Sequence, residues 1–429
     1  MKRVKELFKI ILVLIPGMIG FYGFMQLEGV GPSWAMYYTF KLYSFTLPTM
    51  EINYYVEIAR WLAPLMTAGV IIRLSSSLQK GLRNYLVSRR KGSCSVYGDG
   101  PDAKQLLQDL GKLGLSGSHR IHKTDSHVIM FEDEQQRLRF YGDHVLEFSG
   151  GKVYLALDDV PCGATKISGL HTFSMADNCA SVYWGEHPAL KHEKIGIIGN
   201  SGLPESILNR GLLLNILDPS QQIEYHVWSD NSEFFELHTQ LNKITMDRII
   251  LCAGDEQNII LAGKLLDGLN EPKLHVRLRN GETTATFFGK DRVLAFGQSA
   301  GLANREVILQ ESLLTDAKQL HQHYRDLYGG EPWDSLDEFK KRSSISSAKY
   351  HSVMRRIFAE GTSKETLAEL EHIRWCRFHW LNNWTLGEPD EPLKRVHHLL
   401  VDYGELDDFQ KQKDREVVDL ALYQEGRRE

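Results

Sequence analysis

Two glycine turns and one mixed helix face hold the residue types that could do chemistry in this chain. The first turn lies in CSVYGDGPDAKQLLQDLG, where Gly98, Gly100 and Ala103 fall on a G-x-G-x-x-G/A spacing. Small residues there keep a turn tight and let backbone approach a pyrophosphate, and the following helix start offers unsatisfied N–H groups to the anion. An acid at the tip of the second strand would hold ribose hydroxyls, and the segment His127 to Glu134 ends in Glu132, Asp133 and Glu134. The second turn is Gly199-Asn200-Ser201-Gly202, with Asp230 closing the next strand. The expected cofactor-binding residues are therefore Gly98, Gly100, Ala103, Glu132 and Asp133, then Gly199, Gly202 and Asp230. The helix face is in TLAELEHIRWCRFHWLNNW, where Glu371, Arg374, Trp375 and Phe378 recur at helical spacing. A pure core stripe would not carry Glu371 and Arg374, so this face is expected to meet a ligand or a partner.

Enzymatic chemistry is not indicated. No G-x-S-x-G elbow, HExxH, Walker A or CxxC pair occurs, and His119, His122 and His127 are spaced too irregularly for a metal site. Acid–base work by Glu371 and His372, with His379 a turn or so along, is the enzymatic alternative. The five cysteines, Cys94, Cys162, Cys179, Cys252 and Cys376, are scattered, which points away from a disulfide scaffold and from zinc. With a net charge of −5, nucleic acid is not an expected partner.

The elements that must position these residues begin with two apolar runs, Leu7 to Met25 and Ile52 to Ile72. A bilayer core of ~30 Å needs ~20 mostly apolar residues, so both are expected to span a membrane. Lys2, Arg3, Lys5 and Lys9 precede the first, and Arg73, Lys80, Arg83, Arg89, Arg90 and Lys91 follow the second. Basic residues gather on the cytoplasmic side, so both termini are expected in the cytoplasm, with the chain in the inner (plasma) membrane. Between the runs, Trp34, Tyr37, Tyr38, Lys41, Leu42 and Phe45 form a helical pattern ended by Pro48, either an interfacial helix or a pore-lining one. No potassium filter of the TVGYG kind is present. Strands then alternate with helices from Cys94 to Gly297, which predicts parallel sheets covered on both faces. From Asn304 onward the pattern is helical, with one long helix expected over Asn304 to Gly330.

The C-terminal succession resembles the RyR domain, the small helical repeat named after ryanodine receptors. Glu371 and Trp375 match its E-x3-W element; Trp384 and Gly387 match the next, where Asn383 and Leu386 depart. Lys394, Tyr403 and Leu406 match the third, with His397 or His398 near the family histidine and the family proline missing. The resemblance covers roughly Thr366 to Leu422. It implies a ligand-binding set of Glu371, Arg374, Trp375, Trp384, Lys394, His397 and Tyr403. The tandem α/β part resembles the TrkA-N or RCK type of nucleotide-binding domain on Gly98, Gly100, Ala103 and the acids at Glu132 to Glu134. In that family two Rossmann units bind nucleotide or ion and pull on a pore helix.

The expected fold class is α/β: an N-terminal two-helix transmembrane hairpin, tandem Rossmann-like parallel-sheet units and a C-terminal all-α RyR-like domain. The expected boundaries are 1–91 for the membrane part, 92–190 and 191–303 for the two Rossmann-like units, 304–360 for a helical connector and 361–429 for the RyR-like domain. The expected function is a ligand-sensing membrane effector, channel-like and homo-oligomeric, responding to NAD(H), ADP-ribose or a cyclic-nucleotide-type ligand. Antiviral defence is one setting in which such effectors occur. The alternative is a membrane-anchored, non-conducting scaffold that binds partners through the same domains.

Overall fold

The computed structural model describes residues 2–44, 46, 52–117, 121–148, 150–158, 169–220, 223–230, 234–268, 273–280 and 293–423. Phe45, Pro48, His119 and Cys162 lie outside these. The chain divides into two compact units, Met1–Leu86 and Val87–Glu429.

The first unit is built from α1 (Lys2–Met25), α2 (Pro32–Tyr43) and α3 (Tyr54–Ser88). Pro32 opens α2 at a position where the missing N–H would be unbonded anyway. Gly20 and Gly23 let α1 approach its neighbours closely: a Cβ on Gly20 would lie 2.9 Å from Leu42 Cδ1, and one on Gly23 would lie 2.8 Å from Val56 Cγ2. Asn53 ties two helices together. Its side-chain N–H donates to the Gly23 carbonyl (2.7 Å) and its oxygen accepts the Val56 N–H (3.0 Å). Phe24, Ala35, Leu42, Val56, Ala59 and Ala63 form the core, while Trp34, Phe40, Trp61 and Leu65 are exposed.

Among the described residues no helix is long and apolar enough to cross a membrane. The two-span expectation therefore lacks support from the helices themselves. Its second run carries the Glu57–Arg60 ion pair (2.9 Å) inside α3, and Pro16, Gly17, Gly20 and Gly23 dilute the hydropathy of its first.

The second unit opens on a parallel sheet of β1 (Cys94–Tyr97), β2 (Gly114–Gly117), β3 (Ser126–Ile129), β4 (Lys152–Ala156) and β5 (Leu170–Phe173). Its order is β2-β1-β3-β4-β5. Around it run α4 (Pro101–Leu110), α5 (Glu134–His144) and α6 (Met175–Glu186). A second parallel sheet follows: β6 (Lys194–Ile198), β7 (Glu224–Trp228), β8 (Arg248–Leu251), β9 (Lys273–Arg277) and β10 (Val293–Phe296), in the order β10-β9-β8-β6-β7. Its helices are α7 (Gly202–Leu214), α8 (Phe234–Lys243) and α9 (Asp255–Gly268). Numbered within each sheet, both orders are 2-1-3-4-5. Cys94, Val96 and Val128 of the first sheet and Ile195, Ile197, Ile249 and Ile250 of the second are buried, as parallel strands covered on both faces require.

One sequence expectation is corrected here. The acids after His127 do not follow the second strand. The second strand is Gly114–Gly117, too short and glycine-rich to show a β pattern, and Ser126–Ile129 pairs on the opposite flank of β1.

The helical end comprises α10 (Ser299–Leu302), α11 (Arg305–Ile308), α12 (Thr315–Tyr328), α13 (Glu338–Ala359), α14 (Lys364–Leu381) and α15 (Asp408–Tyr423). A two-residue parallel pair, β11 (Thr385–Leu386) with β12 (Val396–His397), interrupts the expected all-α pattern. The single helix expected over Asn304 to Gly330 is also corrected. Glu311 adopts a left-handed φ of 49°, and its carboxylate is held by His171 of β5 (2.7 Å) and Lys318 (2.6 Å). Burial works against the Glu311 charge, but these two partners outweigh it and hold the carboxyl down at about 2. This tertiary tie breaks a run whose local pattern is helical.

Tyr350, Val353, Met354 and Ile357 of α13 share one core with Leu367 and Leu370 of α14, Val418 of α15 and Ile207 and Leu214 of α7. Asp337 and Ser363 cap α13 and α14 by accepting the Lys340 N–H (2.8 Å) and the Thr366 N–H (3.1 Å). Arg377 donates to the Leu212 carbonyl at the end of α7 (3.1 Å), and the Tyr350 hydroxyl donates to the Ile216 carbonyl. The last helices are thus fastened to the helix that starts at the second glycine turn.

Candidate functional site

The two sheets turn the carboxyl ends of their strands towards each other, so each glycine turn is met by groups from the other sheet. At the first turn, Gly98 has φ 154° and its backbone lies against Met130: an added Cβ would stand 2.6 Å from the Met130 carbonyl oxygen. Gly100 precedes α4 and Ala103 packs in the core. Glu132 occupies the space over the turn, because a Cβ on Gly100 would lie 2.9–3.3 Å from its side chain. Arg279, beyond β9 of the other sheet, donates to the Glu132 carboxylate (3.1 Å), and Ser299 donates to Asp102 in the first turn of α4 (2.5 Å). Asp133 accepts the Gln136 N–H (2.6 Å) as the cap of α5. A phosphate at this turn would therefore meet a carboxylate already bound to an arginine.

The second turn is different. Gly199 packs tightly against Pro204 and Cys252, while Asn200, Ser201 and Gly202 are exposed. The nearest atom to a Cβ on Gly202 is the Asp158 carbonyl oxygen at 4.0 Å. Gly199 N–H donates to the Trp228 carbonyl (2.9 Å), so Asp230 stands beside the turn. One Asp230 carboxylate oxygen is buried with no partner among the described residues, and the Asp230 carbonyl accepts from Gln257 (3.1 Å). Glu205 and Pro204 in the first turn of α7 weaken its appeal to an anion, one by charge and one by lacking an N–H.

The third site is a cavity of about 960 Å3 among α12, α13, α14, α15 and the β11–β12 loop. Glu371, Arg374, Trp375, Trp384 and His397 line it; Lys394 and Tyr403 do not. Lys394 pairs with Glu391 on the surface (2.5 Å), and the Tyr403 hydroxyl donates to Glu365 (3.0 Å).

The expectation that Glu371 and Arg374 are a ligand's charged partners is revised. They bond each other twice, at 2.8 Å each, and take Ser347 (2.8 Å) and Ser346 (2.9 Å) as further partners. Both are almost fully buried, and the network cross-links α14 to α13. A buried charge must be paired and hydrogen-bonded, and this one is.

Aromatic rings form the rest of the wall. Trp384 stacks on Phe339 of α13 (5.2 Å, 27°), and Trp375 lies 3.9 Å from the His379 ring. Both tryptophans are half-buried. His372 donates to the Val401 carbonyl (2.9 Å) and faces Asp414 (3.5 Å). Burial disfavours its charge, but Asp414 and the Cys376 thiol outweigh that and raise the ring to about 10. Lys340, Arg395 and Lys413 stand on the rim. Arg395 uses one N–H on the Asn382 carbonyl (2.8 Å) and Lys413 one on Gln410 (3.0 Å), which leaves donors for an anion.

Asp390, His397 and His398 have the residue types of a metal site, with one ligand atom each within 4.8 Å of the others. Their bonds already close a loop. Asp390 accepts from both the backbone and the ring of His398 (2.7 Å each), and the His397 Nδ1 lone pair takes the Leu399 N–H (3.1 Å). The four described cysteines are free and buried.

Phe339, Lys340 and His379 are cavity residues that the expected ligand set omitted. His379 was visible as an ionisable neighbour of Glu371. Phe339 and Lys340 arrive from α13 with no motif, and only packing shows them. The comparisons fall on the same segment: residues 359–423 match the model of the RyR domain. The chain is also similar to the solved structure of GsuK bound to ADP, at 15% identity over 69% of this chain and 94% of that one, with a TM-score of 0.36. The GsuK channel is similar at 16% identity, with the same coverage and a TM-score of 0.34. No curated protein matches this chain.

Proposed function

We propose that this chain is a ligand-responsive effector whose RyR-domain cavity takes up a nucleotide-type small molecule. The observation that carries this is the cavity itself: about 960 Å3, walled by Trp375, Trp384 and Phe339 and rimmed by Lys340, Arg395 and Lys413. Ring faces suit a planar base, and cations at the mouth suit its phosphates. The helices that wall the cavity are bonded to the end of α7 through Arg377 and Tyr350. A ligand that favours one placement of α13 and α14 would therefore shift the second glycine turn. It can do so only by binding the two placements with different affinity.

The same reading has the first unit associate with a bilayer through exposed rings and aliphatic chains such as Trp34, Phe40, Trp61 and Leu65. It places both termini on the cytoplasmic side of the inner (plasma) membrane and the chain in a homo-oligomer. The test is thermal stability of the full chain against NAD, NADH, ADP-ribose, AMP and cyclic nucleotides, since a ligand that binds only the folded form raises the melting point. A selective rise that Trp375→Ala removes supports the sensor. No rise with any member favours the scaffold that binds protein partners. Co-flotation with liposomes tests the bilayer, and recovery of the chain only in the dense fraction would refute it.

A further inference from the structure

Within that cavity, we propose that His379 and His397 together read the amino-bearing edge of a base, so that the ligand is an adenine-type nucleotide. This rests on the proposed ligand class and adds its selection rule.

The two tautomers follow from their bonds. His379 Nδ1 lies 2.9 Å from the Trp375 carbonyl oxygen, which only accepts, so Nδ1 carries the proton. The ring is kept neutral by burial, which, with His397 and Arg374 nearby, outweighs the Trp375 bond and holds it at about 4. Its Nε2 is then a lone pair, the ring's proton being spent on the Trp375 carbonyl. His397 is the reverse case. Its Nδ1 accepts the Leu399 N–H (3.1 Å), so in the neutral ring the proton sits on Nε2. Burial lowers this ring too, against the pull of Asp390.

Both histidines line the cavity, with ring centres 5.8 Å apart and Trp375 and Trp384 beside them. The wall therefore offers one acceptor and one donor side by side between ring faces. The complementary edge has an N–H donor next to a ring nitrogen acceptor, as the 6-amino group and its neighbouring nitrogen do in adenine. The other cavity histidines do not serve: His372 is held by Val401 and Asp414, and His321 Nε2 faces the Glu331 carbonyl oxygen (2.9 Å).

The experiment compares AMP with purine riboside 5′-monophosphate, which lacks the amino group, by calorimetry on the full chain and on His379→Phe. The wild type is expected to bind AMP about tenfold more tightly, the value of one hydrogen bond to an acceptor in the cavity wall. In His379→Phe the two affinities are expected to converge while ring stacking is kept. Equal affinities in the wild type overturn the inference and leave the nucleotide cavity standing, a result that needs no variant to fold. A preference that persists in His379→Phe also overturns it. Binding of neither compound to the wild type overturns the nucleotide reading and this inference with it.

Discussion

The two α/β halves of the second unit share a strand order and differ at the one place where that order makes a ligand crevice. In the first, Glu132 sits over Gly100 and is bound to Arg279, and Ser299 closes on Asp102. In the second, Asn200, Ser201 and Gly202 are exposed, and a carboxylate oxygen of Asp230 lies buried beside them without a partner among the described residues. The backbone turn is the common inheritance of the topology. Whether it stays open is settled by side chains from strand ends far away in sequence. A fold-level resemblance therefore cannot say which turn binds.

The comparison breaks most severely at the tie between the halves. Asp177 of α6 pairs with Arg210 of α7 (2.8 and 2.5 Å); Arg210 is buried and Asp177 half-exposed, and the Asp177 carboxyl is lowered because Arg210 outweighs burial. Asp177→Ala takes the carboxylate from the buried Arg210, and should destabilise by ~1.5–3 kcal/mol in urea titration. A loss under about 1 kcal/mol would mean that the halves are not locked by this pair.

Smaller effects follow from pH and from the turns. Burial, with a lesser push from His122, lowers His127 in the first sheet to about 4. The unfolded ring, near 6.5, binds protons more readily, so stability is full above about 6.5 and is lost as pH falls towards 4. From pH 7 to pH 5 this one ring should remove about 2 kcal/mol, and His127→Phe should flatten that slope. An unchanged slope would assign the acid sensitivity to the other rings that burial lowers, His275 of the second sheet to about 3 and His351 and His379 of the helical end to about 4.

At the turns themselves, Gly98→Ala sets a methyl 2.6 Å from the Met130 carbonyl and should destabilise by ~1–3 kcal/mol. Gly202→Ala meets its nearest atom at 4.0 Å and should stay within ~0.5 kcal/mol. Equal losses in thermal melts would erase the distinction between a packed turn and an open one. The smallest effect is a gain. Glu132→Gln keeps the shape and removes the charge, so nucleotide affinity of the whole chain should rise, by about 1 kcal/mol at most, if the first turn is blocked electrostatically. No rise would mean that Arg279 and Ser299 block it sterically.

Much of the α/β part was legible because strand runs such as KIGIIG and RIILCAG are apolar and end in glycine. The strand Gly114–Gly117 was not, since GLSG has no β pattern and takes its conformation from pairing with β1. In the cavity, Trp375 and Trp384 could be singled out by spacing and type. Glu371 and Arg374 were singled out for the wrong reason: charge on an apolar face signals either a ligand or a buried partner, and only α13, bringing Ser346 and Ser347, shows which.

The sequence by itself determined the alternation of strands and helices, the glycine turns and the RyR-like succession, because these depend on local propensity and short-range spacing. The tertiary structure alone decided which turn is filled, which charges face each other rather than a ligand, and where the donor and acceptor of the cavity wall stand. Those outcomes depend on contacts between residues such as Glu132 and Arg279, 147 positions apart, and no local pattern encodes such a pairing.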